Sequence, residues 1–310
     1  MNNVILYIFT VMIWGTTWFA IKLQIGHAPD EISILYRSAL AAIFLLILCK
    51  IKKLSLRFSI TNHMFLCLLG LSMFSLHFLF VYNAANYVVS GVISVIFSGV
   101  SFLSIFYNFI FFREKPSLNV VIGALTGISG LCVFFWHEVR GVSLGNEVVN
   151  GLILSCVGTL IFSLSSTISK RNNSKGLEII PSMTIGMLYG TLAMFIYTIY
   201  QSSHFVLPSN MTYWASLLYL SIAGSTVAFL CYLQLIKNIG SELASYTTVL
   251  FPVVALIVSS VFEGYKWSTA DFIGLLLVIL GNILVMTKNP SRILKCVNNE
   301  AADKSLSGNN

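Results

Sequence analysis

The side chain in this sequence best suited to ligand chemistry is that of Arg37, because it lies inside an otherwise apolar stretch, residues 31–49. A guanidinium group has paired, planar donors and binds a carboxylate or a phosphate through two parallel hydrogen bonds. Arg37 therefore predicts contact with an anionic group of a small molecule. Two structural roles are the alternatives: the side chain extends to the nearer end of the stretch, or it caps carbonyls of a neighbouring helix.

Trp14 and Trp18 stand four residues apart, which places them on one face of a helix. Their rings can stack on an aromatic or amphipathic ligand, and they serve equally well as packing between helices. His77 is the candidate for a proton-linked step, because the reference pKa of histidine is about 6.5. A histidine that is hydrogen-bonded between helices is the alternative.

Other polar residues within or at the ends of apolar stretches are candidate ligand contacts or hydrogen bonds between helices. The candidate binding residues are Arg37, Trp14, Trp18, His77, Tyr82, Asn83, Ser101, Asn108, Tyr232, Gln234 and Pro252. Pro252 and Ser101 are included because a helix break there would free backbone carbonyls. Glu114 and Glu263 are predicted gate or helix-end residues. The sequence predicts no catalytic set, no metal site and no cofactor, and its cysteines form no C-x-x-C pair.

Membrane-spanning helices must position these residues. Hydrophobic residues make up 57% of the 310 residues and charged residues only 9%, which is far from the composition of a soluble domain. Ten apolar stretches reach the roughly 20 residues that cross a bilayer. They cover residues 4–25, 31–49, 62–83, 88–112, 117–136, 147–169, 178–200, 211–236, 242–262 and 268–287. The prediction is an all-α polytopic membrane protein with ten transmembrane helices.

The basic residues lie mainly in alternate connections. Fourteen of the 18 lysines and arginines fall on one side of the predicted membrane, and the positive-inside rule makes that side cytoplasmic, together with both termini. This predicts a multi-pass protein of the cytoplasmic (inner) membrane. The net charge of +7 follows from this topology, so the lipid bilayer is an expected partner and nucleic acid is not.

The sequence also contains an internal duplication. A shift of 151 residues pairs Ser90 with Ser241 and Gly123 with Gly274. Because each half has five spans, an odd number, the second half must enter the membrane from the other face, which makes the repeats inverted. The predicted divisions are 1–140, 141–288 and a polar cytoplasmic tail, 289–310.

Glycines recur along the fifth and tenth spans. Gly123, Gly127 and Gly130 form a small-residue face on the fifth span, and Gly274 and Gly281 partly repeat it on the tenth. Small residues let helices pack closely. We expect this face to serve packing within the chain, and a homodimer is the alternative use.

Several short motifs together resemble the drug/metabolite transporter superfamily, specifically its EamA-type ten-helix members, over residues 4–287. They are Trp14-Gly15-Thr16-Thr17-Trp18, Arg37 followed by Ala41 and Ala42, Phe112-Arg113-Glu114, Phe262-Glu263-Gly264, and Pro252. The chain departs from the family pattern where Arg113 replaces a glycine, where Gly264 follows Glu263, and where Ser101 occupies the position related to Pro252.

The resemblance implies a basket of ten helices around a central cavity, and the export of a small metabolite such as an amino acid. Inverted halves can expose one site alternately to each side, so substrate is expected between helices one to four and six to nine. No aspartate or glutamate lies mid-span, which disfavours a proton or cation antiporter built on an intramembrane carboxylate.

Two further interpretations stay open. The first is an importer or exchanger of a nucleotide-like cofactor metabolite, and a second buried cation beside Arg37 would favour it. The second is an intramembrane enzyme or a lipid-handling scaffold, which requires a catalytic cluster at one membrane depth.

Overall fold

The computed structural model describes residues 2–141 and 146–286. Within these ranges the chain forms ten helical rods and no strand. They are α1 (Asn3–Lys22), α2 (Asp30–Ile51), α3 (Ile60–Ala85), α4 (Ser90–Phe112), α5 (Leu118–Gly141), α6 (Asn146–Ser174), α7 (Ile179–Tyr200), α8 (Met211–Ile239), α9 (Leu243–Phe262) and α10 (Thr269–Met286). The predicted tail, 289–310, lies outside the described residues.

Eight rods in the described part of the chain, α1–α4 and α6–α9, are long and apolar enough to cross a membrane. The apolar parts of α5 and α10 are shorter, Leu118–Phe134 and Thr269–Gly281. The predicted class, an all-α polytopic membrane protein, is therefore confirmed. Ten crossings remain a prediction.

Successive rods run in opposite directions, so the bundle has two ends. We call the end with the connections α2–α3, α4–α5, α6–α7 and α8–α9 the basic end, because most lysines and arginines lie there. The other end holds the connections α1–α2, α3–α4, α7–α8 and α9–α10, and we call it the far end. Contacts such as the one between Asn3 and Asn238, 2.6 Å, hold helix termini together at the basic end.

Several rods are interrupted at places that the sequence pattern does not predict. Wide π-helical turns occupy Ser72–Leu76 in α3 and Leu220–Val227 in α8. The shift of 151 residues relates the first turn to positions that lie within the second turn. Such turns leave backbone groups outside the regular hydrogen-bond ladder and often mark functional sites.

The helix break expected at Pro252 does not occur at the proline; the helix is interrupted before it. The helix Thr247–Phe262 continues through Pro252, and a short helix, Ser241–Ser245, precedes it. In the first half, α4 is interrupted at residues 98–99, just before Ser101. Hydroxyl groups make these turns possible, because side chains such as Thr248 donate to carbonyls of the preceding turn.

Helices α5 and α10 pack with their backbones in contact. A Cβ atom built at Gly281 would lie 2.5 Å from the carbonyl oxygen of Gly123 and the nitrogen of Gly127. One built at Gly274 would lie 2.8 Å from the carbonyl oxygen of Gly130. The pairing of 281 with 123 and of 274 with 130 makes the helices antiparallel, and the predicted glycine face packs within the chain.

Candidate functional site

A narrow cavity lies inside the bundle. Its volume is about 30 Å³, room for roughly two water molecules. The lining residues come from α1–α4, α6, α8 and α9: Trp14, Thr17, Trp18, Ile21, Arg37, His77, Phe78, Val81, Phe97, Phe162, Phe229 and Phe251. Because sites for small organic ligands have volumes of about 300–1,000 Å³, the helices must separate before such a molecule enters.

Arg37 projects into the interior and is only 2% exposed. Its Nε donates to Ser225 Oγ at 2.7 Å, and its guanidinium lies 4.0 Å from the centre of the Phe78 ring. Nη1 is buried and has no hydrogen-bond partner. The side chain therefore connects the two halves inside the bundle, and its Nη1 is left without a hydrogen-bond partner.

The charge of Arg37 is not balanced at the cavity wall. None of the lining residues is an aspartate or glutamate, and a cation at membrane depth costs on the order of 3 kcal/mol on insertion scales. No second lysine or arginine is among the lining residues, and Lys22, one turn from Trp18 on α1, donates to the Ala85 carbonyl at 2.5 Å. The cavity therefore has a single full charge, and it is positive.

Trp14 is held by a ring cluster and by the π turn of α8. Its ring centre lies 5.1 Å from that of Phe229 and 5.9 Å from that of Phe162, and its Nε1 donates to the Gly224 carbonyl at 3.4 Å. Gly224 allows this approach, because a Cβ there would lie 2.9 Å from Thr17 Cγ2. The π turn thus orients one wall of the cavity.

Trp18 has a different environment. Its ring centre lies 5.1 Å from that of Phe97 and 5.6 Å from that of Phe251, so the ring is part of the aromatic wall. Its Nε1 is buried without a hydrogen-bond partner. A buried indole N–H usually finds an acceptor. Trp18 therefore carries a second unpartnered donor on a side chain that lines the same cavity.

His77 lines the cavity and is also anchored. Its Nδ1 lies 3.1 Å from the Ser72 carbonyl, in the π turn of α3, and its ring centre lies 5.2 Å from that of Phe162. The hydrogen bond of Nδ1 stays within α3, so it is not the contact between helices that the sequence offered as the alternative. Whether it takes part in proton transfer remains a prediction.

Four of the predicted binding residues, Arg37, Trp14, Trp18 and His77, thus come together at the cavity. The other seven are not among the lining residues: Tyr82, Asn83, Ser101, Asn108, Tyr232, Gln234 and Pro252. Tyr82 nevertheless lies next to Arg37, and its hydroxyl interacts with the guanidinium. Tyr82 donates to Gln24 Oε1 at 2.8 Å toward the far end, and Tyr232 lies behind Trp14 with its hydroxyl 2.9 Å from Ser166 Oγ.

Of the remaining predicted residues, Asn83 is exposed, and Gln234 donates to Asn238 Oδ1 at 2.7 Å at the basic end. Ser101 is buried and donates to the carbonyl of Ser98 within α4. Pro252 is buried next to a lining residue, Phe251. None of these four side chains lines the cavity in this conformation.

Ser225 and most of the aromatic wall were not predictable from the sequence. Ser225 is 188 residues from its partner Arg37, and no local pattern connects the two positions. Phe97, Phe162 and Phe251 are single phenylalanines in apolar stretches, where they do not differ from packing residues.

At the far end, Glu263 joins α9 to the beginning of α4. Its carboxylate accepts hydrogen bonds from the Ser90 backbone N–H at 3.3 Å, from the Ser90 hydroxyl and from the Ser259 hydroxyl. The residue preceding α4, Val89, has no capping side chain, so a carboxylate from the other half supplies the cap and complements the helix dipole. We call Glu263, Ser259 and Ser90 the far-end latch.

A related contact closes the basic end. Asn108 of α4 donates to Ser241 Oγ at 3.2 Å, while its Oδ1 lies 3.4 Å from Lys170 Nζ, which also pairs with Glu114 at 2.6 Å. The shift of 151 residues converts the pair Ser90–Ser259 into Ser241–Asn108. We call Asn108 and Ser241 the basic-end latch.

Glu263→Gln is expected to weaken the far-end latch. The loss of charge-assisted hydrogen bonds, about 1 kcal/mol, should expose the cavity to that end about fivefold more often. The readout is the rate at which a membrane-impermeant thiol reagent labels Ile21→Cys in a background without native cysteines. Glu114→Gln is the matched control, because that carboxylate is 49% exposed and its ion pair is screened. Equal labelling rates in all three proteins would contradict a gating role for Glu263.

A helical membrane bundle that encloses a buried cationic cavity, with latches at both ends, has the organisation of a membrane transporter of small solutes. The model of the EamA-like transporter family matches residues 1–136 and again 149–287. The chain belongs to this family. The family resemblance predicted from the sequence motifs is confirmed.

Similar proteins occur in several bacteria. The chain is 27% identical to an uncharacterized transporter of Buchnera aphidicola subsp. Schlechtendalia chinensis, over 91% of each chain. It is 23% identical to the protein PagO of Salmonella typhimurium, over 91% of this chain and 92% of PagO, and 23% identical to the uncharacterized transporter YvbV of Bacillus subtilis, over 94% and 93%. A solved crystal structure shares the fold with a TM-score of 0.71 at 15% identity, over 93% of this chain and 98% of that one.

Proposed function

We propose that this protein is a secondary transporter that moves a small organic metabolite, of about the size of an amino acid, across the cytoplasmic membrane by alternating access. Arg37 and the aromatic wall would bind the substrate. The two latches would close the cavity on either side in turn. The family resemblance favours export, and the basic connections favour cytoplasmic termini.

The observation that carries this proposal is the exchange of contacts between the two halves. Gly130 contacts Gly274, and Gly123 contacts Gly281. The shift of 151 residues relates Gly130 to Gly281 and Gly123 to Gly274, so it converts the first contact into the second. Such an exchange is expected of two inverted five-helix repeats related by a two-fold axis in the membrane plane. It supports ten crossings and a division near residue 141.

The latches supply the second support. Each joins α4 of one half to α9 of the other, one at each end of the bundle, and the cavity lies between them. Two related closures on either side of one site are what a rocking mechanism needs. In this conformation both latches are formed, and the narrow cavity is consistent with a closed intermediate.

The importer of a nucleotide-like metabolite is less well supported. A phosphorylated substrate has more than one negative charge and favours paired cations, whereas Arg37 is the single lysine or arginine among the lining residues. The enzyme and scaffold alternatives have no specific observation in their favour.

Crosslinking either latch is expected to stop transport. In a cysteine-free background, Ser90→Cys with Ser259→Cys replaces hydroxyl oxygens that are 2.9 Å apart. At the basic end, Asn108→Cys with Ser241→Cys replaces an amide nitrogen and a hydroxyl oxygen that are 3.2 Å apart. Oxidation should reduce solute movement in proteoliposomes by roughly tenfold or more, because disulfides block separation of the halves. A reductant should restore it.

The matched control is Asp30→Cys with Asn86→Cys, which links two elements of the first half at the far end. This crosslink should leave transport active. Full transport with both latches oxidised would rule out the rocking mechanism. If tags on the two termini were found on opposite sides of the membrane, the inverted topology would be ruled out.

A further inference from the structure

We infer that the cavity selects small monoanions in which one carboxylate is attached to an aromatic or other apolar body. The inference deepens the proposed function, since it names the substrate class of the same site. It concerns binding, however, and is tested apart from transport. Its basis is the set of donors, acceptors and charges at the cavity wall.

Two free donors point to an acceptor-bearing ligand. Arg37 Nη1 and Trp18 Nε1 are buried, have no hydrogen-bond partner, and belong to side chains that line the same cavity. Arg37 is 2% exposed and Trp18 7%, so neither group is well hydrated. A carboxylate has two acceptor oxygens and a charge opposite to that of the guanidinium, so it satisfies both donors and balances the charge.

The cavity is poorly suited to a positively charged group. Arg37 and His77 are the titratable residues at its wall, and Nδ1 of His77 is engaged with the Ser72 carbonyl. An ammonium group would therefore lose its water, find ring faces in place of a carboxylate, and experience the charge of Arg37. Cation–π contacts do not replace that hydration. Free amines and zwitterionic amino acids should bind more weakly than the corresponding carboxylate.

The remaining wall defines the rest of the ligand. Phe97, Phe162, Phe229 and Phe251 surround the two tryptophans with rings, and such a wall stabilises a flat apolar body by edge and face contacts. A single cation balances one negative charge and leaves the second charge of a phosphate monoester unpaired. Selection for one carboxylate on an apolar body follows.

The experiment uses four ligands with the same phenyl ring: 3-phenylpropanoate, phenylalanine, phenethylamine and phenyl phosphate. Affinities for the purified full-length protein are measured by tryptophan fluorescence. We expect 3-phenylpropanoate to bind at least about tenfold more tightly than each of the other three. Trp18→Phe keeps a ring and removes the N–H, and it should weaken binding of 3-phenylpropanoate severalfold.

Arg37→Gln should abolish the preference among the four ligands. Arg171→Gln is the matched control, because Arg171 also stacks on a ring, that of Phe65 at 3.8 Å, but lies outside the cavity, and this variant should retain the preference. If Arg37→Gln does not fold, the ranking of ligands by the unmodified protein decides.

The inference is overturned if phenylalanine, phenethylamine or phenyl phosphate binds as tightly as 3-phenylpropanoate, if none of the four binds, or if Arg37→Gln keeps the preference. Transport is scored separately in proteoliposomes. Selective binding without movement of any solute would refute the proposed function and leave the substrate class intact. Movement of another solute, together with no preference for the carboxylate in binding, would refute the inferred substrate class and leave the proposed function intact.

Discussion

Substituting glutamine for Arg37 is expected to abolish most transport while leaving the folded protein as abundant in membranes as the unmodified chain. The guanidinium provides the single full charge at the cavity wall and a free donor at Nη1. A hydrogen bond to a charged group contributes about 1.5–3 kcal/mol, so its loss should lower the transport rate at limiting substrate about 10- to 150-fold.

The stability of this variant separates a substrate-binding role from a structural one. Glutamine can still donate to Ser225, and removal of an unbalanced charge relieves a desolvation cost. The melting temperature in detergent should therefore stay unchanged or rise. If Arg37 were purely structural, the melting temperature and the membrane abundance would fall together with transport. Arg171→Gln, which alters an arginine outside the cavity, should preserve transport.

Replacing Gly70 by alanine is expected to prevent α3 and α7 from packing. A Cβ at this position would lie 2.2 Å from the carbonyl oxygen of Gly186 and 3.0 Å from the nitrogen of Gly190. Both are backbone atoms, so the clash cannot be relieved by a side-chain rotation and the helices must move apart. Overpacking of this kind costs about 1–3 kcal/mol or more, and we expect a clear loss of melting temperature and of membrane abundance.

The same interface provides a matched control in Gly186. A Cβ there would meet its nearest atom, the carbonyl oxygen of Leu66, at 3.5 Å, which is an ordinary van der Waals contact. Gly186→Ala should therefore be close to neutral in thermal stability and abundance. Equal losses in the two variants, or none in either, would show that the helices are not in contact through Gly70.

The positions of the helices were predictable because hydrophobic length is a local property. Each predicted apolar stretch coincides with a helical rod to within a few residues, for example 31–49 with Asp30–Ile51. Family membership was likewise predictable from short motifs such as Trp14 to Trp18, each contained within one helix. Arg37 could be singled out because a charge inside an apolar stretch is expensive wherever the helix packs.

The partners of these residues were not predictable. The helices are apolar on most of their circumference, and exposed positions such as Ile43 and Phe44 are as hydrophobic as interior ones. The pattern therefore does not show which face turns inward. Asn108 and Tyr232 were therefore as plausible at the cavity as Trp18. The structure instead places Asn108 in a latch and Tyr232 behind the wall.

The sequence by itself determined the membrane class, the helix positions and the family, and it singled out Arg37 as a candidate binding residue. The tertiary structure decided which side chains share the cavity, how Ser225 meets Arg37, and how Glu263 caps α4 from the other half. The physical reason is that apolar burial specifies how long a helix is, whereas its depth and rotation follow from close packing at glycines such as Gly70 and from π turns. Those contacts form between helices that are distant in sequence.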